Sequence, residues 1–209
     1  MNIEQIVLVR HGETLHNVAG IAQGWNDSEL SENGVRQVRR LGERLRTYGM
    51  NAIYSSPLSR AIATARTIAE FTGLEIVALD DLREMNCGRW EGQEFLKVRQ
   101  NDPEIFRRWI EDPEYPCPDG ESHGDVRRRM ERALQQIEAA GEGSVAPLRP
   151  IIVSHGTAIR LVTTSLLKVD ISVARNFAQD NAAINLFMRR GERWVMKVFN
   201  DATHCVETT

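Results

Sequence analysis

The chain has 209 residues, enough for one domain with a sizeable core. Apolar residues make up 42% and charged residues 26%, which excludes wholesale disorder. The 26 basic and 29 acidic residues leave a net charge of −3, so the large basic face of a nucleic-acid binder is not expected.

No apolar run approaches the ~20 residues of a membrane-spanning helix. The opening stretch, MNIEQIVLVR, shows no basic leader or signal-peptide core. Cys87, Cys117 and Cys205 are too few and odd in number for a disulfide framework. The expectation is a soluble cytoplasmic protein with no membrane partner.

In chain order, QIVLVR at 5–10 is a short β-branched run that predicts a buried strand. Residues 11–30, with Gly12, Gly20 and Gly24, read as a loop. Ser31 is a candidate N-cap for a helix over 31–48, where Val35, Val38, Leu41 and Leu45 recur at helical spacing. A strand at 52–55 precedes a helix striped by Leu58, Ala61, Ile62, Ala65 and Ile68, and 75–78 predicts another strand. Residues 80–121 are irregular, with short helices near 93–100 and 103–111 ended by Pro113, Pro116 and Pro118. Val126, Met130, Ala133, Leu134 and Ile137 mark a helix over about 122–140. A strand at 151–154 leads into a helix ending near 167, and 183–189 with 194–199 form a hairpin turning at Gly191-Glu192. This alternation predicts an α/β fold, a three-layer α/β/α sandwich around a mostly parallel sheet. The 80–121 stretch has too few apolar residues for its own core. It reads as a mainly helical insertion over the active end, inside a single domain spanning 1–209.

Two strand ends carry the chemistry. Arg10-His11-Gly12 follows the first strand, and Ser154-His155-Gly156 follows a later one. Ligands of open α/β sheets bind at the carboxyl ends of strands, so neighbouring strands would aim both imidazoles at one pocket. The helix after His155 would offer free backbone N–H groups to an anion. Arg10 is a bidentate donor suited to phosphate. Arg60 sits in the first turn of a helix, where a cation opposes the dipole and therefore has another task. Glu84 and Glu91 bracket Met85-Asn86-Cys87-Gly88-Arg89-Trp90 and supply candidate carboxylates, with Glu13 a further one.

Other features read more plainly. His16, His123 and His204 are expected at the surface, and Arg127-Arg128-Arg129 as a solvated helix face. No Cys is followed six positions on by Arg, and no metal-ligand motif occurs. Gly120-Glu121-Ser122-His123-Gly124 matches a serine-hydrolase elbow, but three prolines rather than a strand precede it.

RHGET with Asn17, then SSPLSRA, then Leu82-Arg83-Glu84 ahead of Gly88-Arg89-Trp90-Glu91-Gly92, then VSHG, resembles the histidine phosphatase superfamily. The resemblance is to its phosphoglycerate-mutase-like proteins, in the phosphatase branch, and covers about 5–200. It implies His11 as the nucleophile that becomes phosphohistidine. It implies Arg10, Asn17, Arg60 and His155 on the phosphoryl oxygens, helped by the Gly156 backbone. Glu84 would be proton donor and then base, and Gln23 and Gly24 would lie in the loop over the phosphate. Gly120, Glu121 and Ser122 would line the pocket rim, with Ser122 also capping a helix.

The implied activity is cofactor- and metal-independent hydrolysis of a small phosphorylated metabolite, with a homodimer as the candidate assembly. Phe106-Arg107-Arg108-Trp109 and Asp180-Asn181-Ala182 resemble the metal-independent phosphoserine phosphatases, although Cys87 stands where some of those carry His. Two rival readings are a mutase and a catalytically silent phospho-ligand binder. The 71 positions from Glu84 to His155 are short for a mutase, and a silent binder would usually have lost His11, Arg60 or His155.

Overall fold

The computed structural model describes residues 2–144 and 146–206. Strand β1 (Gln5–Arg10) lies inside a six-stranded sheet of order β3-β2-β4-β1-β5-β6. Here β2 is Ala52–Ser55, β3 Ile76–Ala78, β4 Pro150–Ser154, β5 Ile184–Arg190 and β6 Arg193–Asp201. The first four strands in the sheet run parallel, and β5 and β6 join antiparallel.

Side chains alternate across each strand, and each face is buried under helices. Ile6 and Leu8 of β1 and Ile152 of β4 share one cluster with Val126, Met130, Ala133 and Ile137 of α6 (His123–Ala140) and with Ala158, Ile159 and Val162 of α7 (Gly156–Leu167). Val7, Val9, Ile151 and Val153 point the other way. They meet Leu41 and Leu45 of α2 (Glu32–Leu45) and Ala61, Ala65 and Ile68 of α3 (Ser59–Thr72). This is the expected three-layer α/β/α arrangement. Ser31 caps α2 as expected, its hydroxyl accepting from Gly34 N at 2.9 Å. The insertion holds α4 (Phe95–Asn101) and α5 (Pro103–Glu111). Its buried Trp90, Val98, Trp109 and Cys117 join the first cluster instead of forming a separate core.

Three local expectations change. Residues 11–30 are not all loop. Thr14 and Asn17 close a capping box around a four-residue helix, α1 (Leu15–Val18). The first hairpin strand shifts by one residue to Ile184–Arg190, and the second runs longer than 194–199, because β6 continues to Asp201 beside Ile184. The Arg127–Arg129 run is not a solvated face throughout. Arg129 is buried and bridges Glu121 at 2.8 Å, while Arg128 stays exposed between Glu114 and Asp125.

The register positions the site. Arg10 pairs with Ser154 across β1 and β4, so the residues that leave the two strands emerge side by side. The His11 N–H donates to Ser154 O at 3.0 Å, which carries the ladder one residue past Arg10.

Candidate active site

His11 and His155 stand with ring centroids 5.1 Å apart and planes at 56°. Both are buried. His11 Nδ1 lies 2.7 Å from Gly12 O. A carbonyl only accepts, so Nδ1 carries the proton and Nε2 keeps its lone pair. Burial, reinforced by the Arg10 and Arg60 cations, holds the His11 pKa well below its ordinary value, against the opposing pull of the Gly12 carbonyl. His155 is depressed likewise, by burial first and then by Arg60. Its Nε2 sits 2.8 Å from Ser56 Oγ, and its buried Nδ1 has no partner among the described residues.

Two guanidinium groups complete a cradle. Arg10 Nη1 donates to Gln179 O. Arg60, only 1% exposed, donates through Nη1 to Asn26 O at 2.9 Å and through Nη2 to Gly24 O at 2.7 Å. The Nε of each is buried without a partner. Buried polar groups are nearly always satisfied, so two unpartnered guanidinium Nε donors and the unpaired imidazole nitrogen of His155 are groups that could serve a bound anion. The two guanidinium charges attract a phosphate dianion.

Glu84 closes the cradle from the insertion. Its Oε1 accepts from Met85 N at 2.8 Å and Ala158 N at 3.2 Å, and its Oε2 from Thr157 N at 3.1 Å. The helix N-terminus that was expected to face an anion with free N–H groups is therefore largely taken by this carboxylate. A carboxylate there is favoured by the helix dipole, and the contact fixes Glu84 beside Arg10 and Arg60.

The profile of the histidine phosphatase superfamily (branch 1) matches residues 6–202. The chain belongs to this superfamily. Phosphoserine phosphatase 1 of Hydrogenobacter thermophilus is 34% identical over 204 residues, covering 97% of this chain and 95% of that protein. A probable phosphoglycerate mutase of Erwinia tasmaniensis is 33% identical over 211 residues, covering 98% and 96%. The solved structure of mycobacterial glucosyl-3-phosphoglycerate phosphatase complexed with VO3 superposes with a TM-score of 0.85 at 31% identity, over 94% of this chain and 99% of that one.

In this histidine phosphatase the remaining expected residues fall into two groups. In the first, Gly24 meets Arg60, Gly156 lies against Arg10, Asn17 is linked through Asn181 to the His11 carbonyl, and Gln23 precedes Gly24 in its loop. Asn17 Oδ1 accepts from Thr14 N and Asn181 Nδ2, each at 3.1 Å, which leaves its Nδ2 as the group it can offer. Gln23 is buried, its Oε1 unpartnered. Gly24 adopts φ +52°, and a Cβ there would overlap Glu91 Oε1 at 2.0 Å. That same oxygen accepts from Trp25 N at 2.8 Å and Cys87 N at 3.1 Å, so Glu91 holds the loop together. A Cβ on Gly156 would lie 3.5 Å from Arg10 Nε and 3.7 Å from an Arg160 terminal nitrogen, so two guanidinium groups flank this glycine.

The second group is the rim. A cavity of about 560 Å³ opens beside Glu84, and Cys87 lines it with His123, Trp109, Thr157 and Arg160. Burial pushes the Cys87 thiol pKa well up, so it faces the cavity as a neutral thiol. Glu121 and Ser122 stand behind this wall. Glu121 binds Arg129 through both oxygens at 2.8 and 2.9 Å and accepts from Asn86 N at 2.8 Å. Ser122 caps α6, accepting from Asp125 N at 3.1 Å. Arg129 also donates to the carbonyls of Asp81, Arg83 and Glu84. Glu121 and Arg129 thus brace the segment that presents Glu84.

Sequence reasoning missed Arg129, His123 and Arg160. His123 is a wall residue, not a surface one, stacked on Trp109 at 4.6 Å, its pKa lowered by burial to about 4. The spacing was informative. Arg129 shares the helical face of Val126 and Ala133, and Arg160 lies one turn beyond Gly156.

Proposed function

We propose that this histidine phosphatase hydrolyses small phosphomonoesters through a phosphohistidine on His11, without a metal. One observation carries the reading: His11 is neutral, its tautomer is set by Gly12, and it is buried between two guanidinium donors. A neutral imidazole is a nucleophile, and the cations that reinforce burial in keeping it neutral also stabilise the charge of the transferring phosphoryl group.

In the first step His11 Nε2 attacks phosphorus and the ester P–O bond breaks. Protonated Glu84 gives its proton to the leaving oxygen, and the alcohol departs. In the second, Glu84 takes a proton from water. That water attacks phosphorus, the P–N bond breaks, and inorganic phosphate leaves. Arg10, Arg60, His155 and Asn17 Nδ2 hold the equatorial oxygens, with the Gly156 N–H and the Gln23–Gly24 loop against the same group. Phosphoserine belongs in the substrate panel because the Hydrogenobacter relative is a phosphoserine phosphatase. The short Glu84–His155 separation favours hydrolysis over mutase transfer.

The test is brief incubation with a labelled phosphomonoester, quenching, and mapping of the label. Acid-labile, base-stable label on His11, absent from His11→Ala, supports the reading. Label on another residue, or transfer to a second substrate in place of phosphate release, overturns it.

A further inference from the structure

The cavity beside Glu84 differs sharply from the cradle. The cradle is polar, whereas much of the cavity wall is apolar, with Trp109, Ile110, Phe95, Leu161 and Ile171. Ile110 and Phe95 are 41% and 44% exposed, an uncommon placement for large apolar side chains facing one hollow. Its volume of about 560 Å³ falls in the range of pockets that enclose ligands of roughly 300–1,000 Å³.

Two cations complete the wall, Arg160 and Arg175. Arg160 Nε donates to Gly156 O at 3.1 Å, which aims the head along the seam between cradle and cavity. Neither its terminal nitrogens nor Arg175 has a hydrogen-bond or ion-pair partner among the described residues. The acidic wall residue, Glu111, is already paired with Arg107 at 2.6 Å. Close by, the imidazole of His123 adds no positive charge near neutral pH. The cavity therefore offers an apolar body site and, in the unpartnered terminal nitrogens of Arg160, cationic donors next to the phosphoryl position.

We propose that this cavity receives the leaving group of the substrate, and that this group joins an aromatic or branched apolar body to a second anion bound by Arg160, with Arg175 at the mouth. The inference rests on the hydrolase reading above and narrows its substrate class. Serine, the leaving group of phosphoserine, has almost no apolar surface to set against Trp109 and Ile110, so phosphoserine is a poor fit. Burial of a ring against this wall and pairing of its anion act before the chemical step, so both appear chiefly in KM.

The experiment compares four esters with alkoxide leaving groups: 3-carboxybenzyl phosphate, 3-carbamoylbenzyl phosphate of the same shape but no charge, benzyl phosphate, and O-phosphoserine. The wild type is expected to favour the carboxylate over the carboxamide at least tenfold in kcat/KM, and benzyl phosphate over phosphoserine. Arg160→Met should collapse the carboxylate preference to within about twofold, mainly through KM, and Arg160→Lys should restore part of it. A generally damaged fold would lower both esters and keep their ratio. A wild-type ratio near one, a ratio untouched by Arg160→Met, or phosphoserine ahead of the benzyl esters overturns the inference while leaving the hydrolase intact. Phosphate release from none of the four sinks the hydrolase reading itself, and the inference with it.

Discussion

Replacing Arg60 by Met removes a charge but keeps most of the stem, and the structure fixes what is lost. Arg60 has two duties. Its Nη atoms hold the carbonyls of Gly24 and Asn26, and its Nε is buried without a partner, which leaves a charged donor for the phosphoryl group the reading above assigns to it. A charged donor to a transferring phosphoryl group contributes about 3 kcal/mol to the transition state, or roughly 10²- to 10³-fold in kcat/KM. Every substrate presents the same phosphoryl group, so the factor should agree within about threefold across phosphoserine, a sugar phosphate and an aryl phosphate. Stability should fall too. Two buried carbonyls lose their donors at ~1–3 kcal/mol each, partly offset by no longer burying a cation. A net loss of about 2 kcal/mol corresponds to ~4–8 °C in Tm for a chain of this size. Steady-state kinetics on the panel and a thermal melt read the two effects separately. If kcat/KM falls less than tenfold while Tm drops as expected, Arg60 only straps the 24–26 loop. If the substrates change rank, the separation of phosphate cradle from leaving-group cavity is wrong.

Glu84→Gln should cost alkyl phosphates ~10²–10⁴-fold and aryl phosphates, whose leaving groups need little protonation, far less; equal losses would remove Glu84 from proton transfer. His11, His123 and His155 are all held neutral in the fold, whereas unfolded imidazoles titrate near 6.5. Below that pH the unfolded chain gains protons that the native state refuses, so stability present above pH 6.5 declines as pH falls. Each group contributes up to about 1.4 kcal/mol per pH unit, for His123 until its folded pKa of about 4. Denaturant melts of His123→Phe between pH 6.5 and 4.5 should show a slope shallower by about that amount, and an unchanged slope would refute the assignment. Arg129→Met should cost ~3–5 kcal/mol, because it strands the Glu121 carboxylate and three carbonyls, whereas Arg128→Met on the exposed side should cost under ~1 kcal/mol. Equal losses in chemical denaturation would contradict the buried role of Arg129.

The layers of the fold were legible along the chain because they rest on local periodicity. QIVLVR and PIIVS are buried on both faces, so they read as unbroken apolar strands, and the stripe of α2 follows the 3.6-residue repeat. His11 and His155 were legible for the same reason, each standing one residue past such a strand. The parallel register of β1 with β4 then makes them neighbours. What the tertiary structure alone decided lies mostly in the 80–121 insertion, where no period governs side-chain direction. Glu84, Glu91 and Glu121 are alike as residues, yet each is aimed by different partners, far along the chain for Glu84 and Glu91 and on α6 for Glu121. Glu84 turns to the N-terminus of α7, Glu91 to the Trp25 and Cys87 amides, and Glu121 to Arg129. Those partners are separated in sequence by as many as 74 residues, as for Glu84 and Ala158. Which carboxylate caps α7 and which ones brace the wall is therefore a consequence of chain packing, because a partly buried carboxylate goes wherever the fold leaves N–H donors to satisfy it.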